Sequence, residues 1–481
     1  MAPRVASVAL GALAAALACG GPSTGPEPFK PRIDYVDGAI EPVLVNGQAV
    51  VLEGFGFGDV QGSGAIHFAR TGGGVTPAMV VAGTWSDRTV RVIVPDDAVS
   101  GALTLTTDAG RTLSAAVHVL PHVVFDPATL TWQARTTFPR APVGVGLAAG
   151  SEAGSSGLSV VLYAAGGAET ETGTRKVSPD AAVFVARAAP GGAIGVWRQT
   201  PDLPAKRAFA AVAIASRYNS RYAKRALYVI GGIDDAGRAR ATVYRTLPDA
   251  DTAVGAFTTI EPLPAPVAGA IAVVRRGRIY VMGGADSLGR PQTNVFVGRI
   301  GLDGHIDGWY TQPALPGPRA YGGGVVLDDR ATVFGGISDS SEPGVGLDTL
   351  VPRLAAGDGA PVSLLSGFFT GTWAPGGPVL PAGRSQFATL TLGDVVLLVG
   401  GVYAGASANT AETIVATVFA GDSLGDFSGP VGTNSIAGQG GGTLISAAGA
   451  SWLDVDGTPH GLVFGGIDLV TRERRAGAWG F

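Results

Sequence analysis

The chain has 481 residues, of which 46% are hydrophobic and 15% charged, so it contains enough apolar material for more than one buried core. Its net charge is −4 and no Lys/Arg run stands out, which argues against the concentrated basic face that nucleic acid binding needs. A single cysteine excludes an internal disulfide and any multi-cysteine metal site, whereas 75 glycines favour many short strands joined by tight turns.

The N-terminus has the pattern of an export signal. Residues 1–4 carry one positive charge, residues 5–18 form an uncharged apolar run, and Cys19 follows Ala16-Leu17-Ala18. The run is shorter than the ~20 apolar residues of a membrane-spanning helix. It resembles a bacterial lipoprotein signal, in which the cysteine after a small residue becomes lipid-modified, although that family usually has Leu where this chain has Ala16.

This resemblance implies a signal peptide over residues 1–18, lipidation at Cys19 and a membrane anchor in the bacterial cell envelope. The alternative is a plain cleaved signal with a chance cysteine. Residues 19–30 are rich in Gly, Pro and Ser and predict a flexible tether.

Residues 31–120 predict a small β-sandwich. Short apolar strands at residues 65–68, 91–95 and 102–107 alternate with turn residues, and Asn46-Gly47 is a hairpin signal. A GFGFGD turn occupies residues 54–59. These residues, with the Trp85-Ser86-Asp87 segment, resemble an IPT/TIG domain, an immunoglobulin-like module. We interpret Trp85 as a core or edge aromatic, with carbohydrate stacking as the alternative, and His67 as an ordinary strand residue.

A repeat dominates residues 121–481. An apolar run ending in Gly-Gly recurs six times, with the second glycine at positions 167, 232, 284, 336, 401 and 466, spaced by 65, 52, 52, 65 and 65 residues. Such periods are typical of propeller blades whose loops carry insertions. We expect the apolar runs to be strands buried on both faces and the glycines to adopt positive φ.

A second element precedes most copies. It is an aromatic residue followed by an LPxxR-like segment, as in Trp197 to Arg207, Trp309 to Arg319 and Trp373 to Arg384. We expect the aromatic to fill the wedge between neighbouring blades. Together these units resemble kelch repeats. The fold class expected is therefore all-β, a small immunoglobulin-like β-sandwich followed by a six-bladed kelch-type β-propeller. A strand near Trp132 should complete the last blade, because an open ring would leave sheet edges unpaired.

Candidate ligand-binding residues lie on one predicted face of the propeller. The loops after Gly-Gly and the loops with LPxxR should share this face, which would carry the arginines and acids Arg207, Arg319, Arg384, Asp234, Asp286 and Asp339, together with Glu169 and Asp468. The structural alternative is that the acids form turns and the arginines bond backbone carbonyls. The face itself is a firmer prediction than any single residue on it.

No catalytic residue, metal or cofactor is predicted. Galactose oxidase joins kelch blades to a similar domain, but its copper radical site needs a Cys–Tyr crosslink, and the only cysteine here is Cys19. The five histidines lack metal-ligand spacing.

Two functions remain open. The first is an anchored scaffold whose propeller face binds a protein or glycan ligand. The second is a carbohydrate-active enzyme of the sialic acid mutarotase (epimerase) or lyase type, because an Arg/acid funnel could supply its acid–base pair.

Overall fold

The computed structural model describes part of the chain, namely residues 30–39, 42–154, 157–170, 177–219, 223–248, 254–301, 303–327, 329–338, 358–361, 363, 367–375, 378–403, 412–419, 423–432, 436, 444–468 and 473–481. Cys19, nearly all of the predicted tether and Asp339 lie outside these residues. No helix within them is long and apolar enough to cross a membrane.

The first folded unit contains two facing sheets. In the described residues its nine strands are β1 (Arg32–Val36), β2 (Val43–Val45), β3 (Ala49–Phe55), β4 (Ala65–Ala69), β5 (Val75–Pro77), β6 (Met79–Val80), β7 (Thr89–Ile93), β8 (Gly101–Thr106) and β9 (Thr112–Leu120).

One sheet has the order β1-β3-β7-β6 and the other the order β2-β9-β8-β4-β5. The core lies between them because their strands alternate. In β4, for example, Ile66 and Phe68 are buried whereas His67 is half-buried, as expected for a half-buried strand. Trp85 packs against this core, and its Nε1 donates to the carbonyls of Phe57 and Gly58 at 3.3 and 3.1 Å.

The hairpin predicted at Asn46-Gly47 is wrong. A turn is present, but β2 before it pairs in parallel with β9, whereas β3 after it pairs with β1 and β7. The Asn46 side chain explains the difference, because its Nδ2 donates to the carbonyls of Pro95 and Ala98 at 2.6 and 3.1 Å. This tertiary contact holds the turn between the sheets, so the two strands diverge.

Within the described residues, the second unit consists of short strands and one 3-10 helix at Pro127–Thr129. In chain order its strands are β10 (Gln133–Ala134), β11 (Gly146–Gly154), β12 (Gly157–Ala165), β13 (Ala168–Thr170), β14 (Val177–Pro179), β15 (Val183–Ala188), β16 (Arg198–Thr200), β17 (Ala211–Asn219), β18 (Ala223–Ile230), β19 (Val243–Thr246), β20 (Thr258–Ile260), β21 (Ile271–Arg275), β22 (Arg278–Met282), β23 (Val295–Ile300), β24 (Ile306–Thr311), β25 (Gly323–Leu327), β26 (Arg330–Phe334), β27 (Asp358–Pro361), β28 (Ala374–Pro375), β29 (Arg384–Ser385), β30 (Ala388–Thr391), β31 (Val395–Val399), β32 (Val402–Tyr403), β33 (Thr413–Phe419), β34 (Ser423–Leu424), β35 (Ala448–Leu453), β36 (Pro459–Phe464) and β37 (Ala478–Gly480).

Six four-stranded sheets in this described part of the chain form the blades of a propeller. From the axis outward, blades 1 to 5 are β11-β12-β15-β16, β17-β18-β19-β20, β21-β22-β23-β24, β25-β26-β27-β28 and β30-β31-β33-β34, and blade 6 is β35-β36-β37-β10. The second strand of each blade is the apolar run of the repeat. All five residues of β31 and all six of β36 are buried, which confirms that these strands are covered on both faces.

Aromatic residues of the outer region fill the wedges between blades, as expected. Trp197 of blade 1 packs edge-on against Phe464 of blade 6 with ring centroids 5.4 Å apart. Trp309 Nε1 donates to the carbonyl of Glu261 at 3.0 Å, and Trp373 Nε1 to that of Pro313 at 2.8 Å. Each of these bonds links a blade to the one before it.

The ring closes in the predicted way. β10 is the outermost strand of blade 6, where Gln133 pairs with Gly480 and Ala134 with Trp479. The adjacent Trp132 is 1% exposed, and its Nε1 donates to Thr413 Oγ1 of blade 5 at 3.0 Å. The first and last strands of the propeller therefore share one sheet.

The propeller has two ends, which we name by their turns. The GG face carries the six Gly-Gly pairs and the loops after them. The hairpin face carries the turns between the first and second strands of each blade, such as residues 275–278 and 391–395. Because Gly-Gly ends the second strand and the hairpin turn begins it, the two faces lie at opposite ends of the axis.

Candidate functional site

The Gly-Gly and LPxxR segments meet on the GG face, which confirms that part of the prediction. The amide of Gly167 donates to the carbonyl of Arg207 at 2.9 Å, and the amide of Gly284 to that of Arg319 at 2.7 Å. In both cases the glycine and the arginine belong to consecutive blades. These bonds therefore join neighbouring blades at the same height around the ring.

Glycine is required at these pairs. All twelve glycines have positive φ, between 61° and 96°, a region that side chains with a Cβ disfavour. Space is limiting as well, because a Cβ on Gly166 would lie 2.3 Å from the carbonyl oxygen of Arg207. The turn that ends each buried strand thus allows the next blade's backbone to approach closely.

Arg207 is a buried cation on this face, with 4% of its surface exposed. Its Nη1 donates to the carbonyl of Lys206 at 2.7 Å, and its Nη2 donates to the Tyr244 hydroxyl at 2.9 Å. The guanidinium also lies over the Tyr244 ring, 5.2 Å from its centroid. No carboxylate among the described side chains lies within 4.0 Å of it, and its buried Nε has no hydrogen-bond partner among them.

Asp234, two residues after the Gly-Gly pair of blade 2, organises the adjacent loop. Its carboxylate accepts from the amides of Ala236 and Arg238 at 2.9 and 3.0 Å and from Arg240 Nε at 2.7 Å. Burial by itself would raise the pKa of Asp234, but these hydrogen bonds and the Arg240 charge outweigh it, so the pKa lies below its ordinary value.

The structure brings Arg207 and Asp234 together in one pocket of about 350 Å³, lined also by Asp235, Arg240 and Thr242. Asp234 pairs with Arg240, and Asp235 lies 3.8 Å from the Nζ of Lys206. Because these two carboxylates pair with Arg240 and Lys206, neither of them balances the positive charge of Arg207. Buried charges ordinarily have partners, so this arrangement can accept an anionic group from outside the chain.

The other predicted residues lie elsewhere on the GG face, outside this pocket. Arg319 Nη1 donates to the carbonyl of Pro318 at 2.9 Å, and Arg384 Nη1 donates to that of Gly400 at 3.3 Å. Asp286 caps its own turn by accepting from the amides of Leu288 and Arg290 at 2.8 and 2.9 Å. These contacts fit the structural alternative for the three residues, and their role in ligand binding stays a prediction.

Two more acids follow Gly-Gly pairs. Asp468 is 3% exposed and accepts from Arg475 Nη2 at 2.7 Å, whereas Glu169 is exposed and lies 3.8 Å from Arg474 Nη1. Asp339 falls outside the described residues, so its position on this face is an expectation from the repeat alone.

A ring of backbone hydrogen bonds surrounds the axis at the GG face. At the same repeat position in every blade, one residue has positive φ and its amide donates to the carbonyl of the equivalent residue in the preceding blade. The six residues are Gly144, Phe209, Gly269, Tyr321, Gln386 and Ser446, with bonds of 2.7–3.2 Å.

The larger side chains of this ring occupy the axis. The rings of Phe209 and Tyr321 meet edge to face at 5.4 Å, and Ser446 Oγ donates to Gln386 Oε1 at 2.5 Å. Burial raises the pKa of Tyr321 to about 12. Aromatic and amide groups therefore line the GG face at the axis. The pocket that contains Arg207 and Asp234 lies beside them on blade 2.

Sequence reasoning missed Arg240, Tyr244 and the axial residues. The repeat contains a signal for Arg240 and for the axial residues. Arg240 and Gln292 both stand six residues after the turn acid of their loop, and each contacts that acid. Phe209, Tyr321 and Gln386 stand two residues after an LPxxR arginine, where an alignment of the repeats places Gly144 and Gly269.

Two known proteins share sequence with part of the chain. Alpha-scruin from Limulus polyphemus is 27% identical over 148 residues, which is 30% of this chain and 15% of that protein. Beta-scruin from the same organism is 34% identical over 118 residues, 24% of this chain and 12% of that protein. The fold is a kelch-type β-propeller. The matched segments cover only a small part of the scruins, and no protein-family model matches the chain.

In the part of the chain that the structure describes, no group of three or more His, Cys, Asp or Glu side chains is arranged to hold a metal ion. The described part of the GG face offers guanidinium, ammonium, carboxylate, hydroxyl, amide and backbone groups.

Proposed function

We propose that this protein is a lipid-anchored, extracytoplasmic scaffold whose GG face binds a partner protein through an acidic group. The observation that carries the proposal is Arg207, a buried guanidinium in a pocket where the nearby carboxylates pair with other cations. A partner's Asp or Glu side chain has the charge and the planar geometry that a guanidinium binds best.

The position of the first unit supports this choice of face. It contacts the hairpin face, for example through Asp37 and Arg275, whose Oδ2 and Nη1 lie 2.5 Å apart. The GG face is at the other end of the axis and stays accessible. In this proposal an IPT/TIG-like sandwich and the tether at residues 19–30 hold the propeller away from the membrane, with Cys19 as the acylated residue.

Peptide arrays test the proposed function directly. The Cys19→Ser protein is probed with peptides that contain Asp or Glu and with matched peptides in which these residues are Asn or Gln. We expect binding to the acidic set and a loss of about tenfold or more with Arg207→Met, because a charge-assisted hydrogen bond is worth about 1.5–3 kcal/mol.

The matched control is Arg238→Met, since Arg238 lies on the neighbouring Asp234 loop, is exposed and does not line the pocket. Equal binding of acidic and amide peptides, or equal losses for the two variants, would contradict the proposal.

A second candidate is a carbohydrate-active enzyme of the mutarotase (epimerase) or lyase type, favoured by the pairing of Arg240 with Asp234 in the same pocket. It predicts anomer exchange of sialic acid by NMR, faster than the spontaneous rate and abolished by Asp234→Asn. A glycan array with sialylated and neutral sugars distinguishes a glycan-binding scaffold from the protein-binding scaffold and from the enzyme.

A further inference from the structure

The first unit is fixed to the propeller by a buried ionic clamp. The Asp37 carboxylate follows β1 and accepts from Arg275 Nη1 at 2.5 Å and from Arg276 Nε at 2.9 Å. The side chains of Asp37 and Arg276 are each 7% exposed. Because the carboxylate is buried and accepts from two guanidinium groups, this contact is stronger than a single exposed ion pair.

Backbone geometry brings the two arginines to this position. Arg276 and Gly277, with φ of 47° and 68°, form the two-residue turn between β21 and β22, as in a type I′ hairpin. On the opposite side Gly38 has a φ of 78°, and a Cβ there would lie 2.3 Å from the Cα of Arg276. The two backbones therefore touch, which a loosely tethered domain would not require.

Further contacts spread over the hairpin face. Arg91 Nη1 of β7 lies 3.8 Å from Asp329 Oδ2 of blade 4, and β2 lies against β11 of blade 1. Residues just after β9 continue the contact, because His122 Nε2 is 2.8 Å from Asp394 Oδ2 of blade 5. Blades 1 and 4 are opposite each other in a ring of six, so the sandwich extends across the axis.

The propeller contains a cavity between the first strands of its blades, lined by aliphatic side chains, threonines and backbone groups. The first strands of the blades line a space of about 480 Å³ with residues such as Val145, Ile271, Val274 and Val326. Towards the GG face this space reaches Val145 and Phe387, each directly after a residue of the axial ring. Towards the hairpin face it reaches Val274, next to the clamp residue Arg275.

We propose that the β-sandwich is a fixed cap on the propeller, seated over the hairpin-side mouth of the axial cavity by the Asp37 clamp, and that breaking the clamp opens this cavity. The sandwich is then a rigid support that sets the direction of the GG face.

The test measures the distance between the two units in the full chain. Nitroxide labels are attached in a Cys19→Ser background through Val75→Cys on the sandwich and Leu288→Cys on blade 3, which are 54% and 60% exposed. Double electron–electron resonance should give one narrow distance distribution for the parent. The distribution should broaden at least twofold with Asp37→Ala and with the double variant Arg275→Ala/Arg276→Ala.

Asp34→Ala is the matched control, because Asp34 lies three residues away and pairs with Arg32 inside the sandwich. It should leave the distribution narrow. The isosteric Asp37→Asn serves if Asp37→Ala does not fold, and circular dichroism checks both. A broad parent distribution, or a narrow one in the Asp37 and arginine variants, would overturn the cap.

A second measurement addresses the cavity. 8-Anilinonaphthalene-1-sulfonate, a dye that fluoresces in apolar sites, should give severalfold higher emission with folded Asp37→Ala than with the parent or Asp34→Ala. Broadened distances without any gain in emission would overturn the opening of the cavity.

Discussion

The amide of Gly144 donates to the carbonyl of Ser446 at 3.2 Å, and this bond joins the first blade to the last at the propeller axis. It is the closing member of the ring of six backbone bonds at the GG face. Blade 6 is thus held at its inner edge by this bond and at its outer edge by pairing with β10. The same closure gives the GG face its fixed geometry.

Gly144→Ala should destabilise the propeller by about 2–4 kcal/mol. A left-handed conformation costs a non-glycine residue about 1–2 kcal/mol, and a Cβ here would also lie 2.5 Å from the Phe209 ring. Gly393→Ala is the matched control, because Gly393 has a φ of 73° with nothing within 4 Å of its Cβ position. Urea unfolding should show the larger loss for Gly144→Ala, and equal losses would contradict the close packing of the ring.

Trp132→Ala should weaken the closure of the ring. The residue is almost fully buried and bonds Thr413, and truncating such an aromatic costs about 3–5 kcal/mol. Trp132→Phe retains most of the packing and loses the hydrogen bond, so its cost should be smaller. Hydrogen exchange should increase most in β36 and β37 of blade 6. Uniform exchange over all blades would argue against β10 as the closing strand.

Arg207 and Arg240 should differ in their effect on stability. Arg207→Met removes a cation without leaving a carboxylate unpaired, so the free energy of unfolding should change by less than about 1 kcal/mol. Arg240→Met leaves Asp234, which is 8% exposed, without its guanidinium and should cost about 1–3 kcal/mol. Thermal and urea unfolding test the difference. A larger loss for Arg207→Met would mean that Arg207 serves the fold rather than a ligand.

The interface between the two units should respond to pH through two carboxyl groups with opposite shifts. Burial would raise the pKa of Asp37, but Arg275 and Arg276 outweigh it and lower that pKa. The stability from Asp37 is therefore complete above the ordinary Asp value of about 3.9 and lost as the pH falls through its lowered pKa. Burial raises the pKa of Glu53, although Arg278 and Arg276 act against this.

Ionising Glu53 thus costs stability as the pH rises above the ordinary Glu value of about 4.3. Thermal unfolding from pH 2.5 to 7 should show both effects. Asp37→Asn should remove the increase in stability that accompanies a rise in pH through the lowered pKa of Asp37. Glu53→Gln should remove the decrease in stability that follows as the pH rises above about 4.3. If either variant leaves the parent's pH profile unchanged, the corresponding carboxyl does not titrate at this interface.

Cys19→Ser should abolish acylation. A thioether-linked lipid requires the thiol, and a cysteine is present only at this position of the chain. We expect mass spectrometry to show the parent heavier by its acyl groups, and the variant without them in the soluble fraction. A variant that remains acylated or membrane-bound would contradict the anchor.

Much of the fold could be predicted from the sequence because the repeat is local. The strand before each Gly-Gly pair, the positive φ of the glycines and the wedge aromatics follow from one unit read six times. Closure through Trp132 followed from the need to pair sheet edges. Asn46-Gly47 is the instructive failure, because its local turn signal was correct but its side chain bonds a distant strand.

The sequence by itself determined the β-propeller, since periodic burial and turn chemistry are properties of neighbouring residues. Only the tertiary structure decided which charges have partners. Arg207, Arg319 and Arg384 occupy the same repeat position, and the structure places Arg207 in one pocket with the predicted acid Asp234 because loops from different parts of the chain meet there. The placement of Asp37 between two arginines of blade 3, more than 200 residues away, likewise arises from packing between domains.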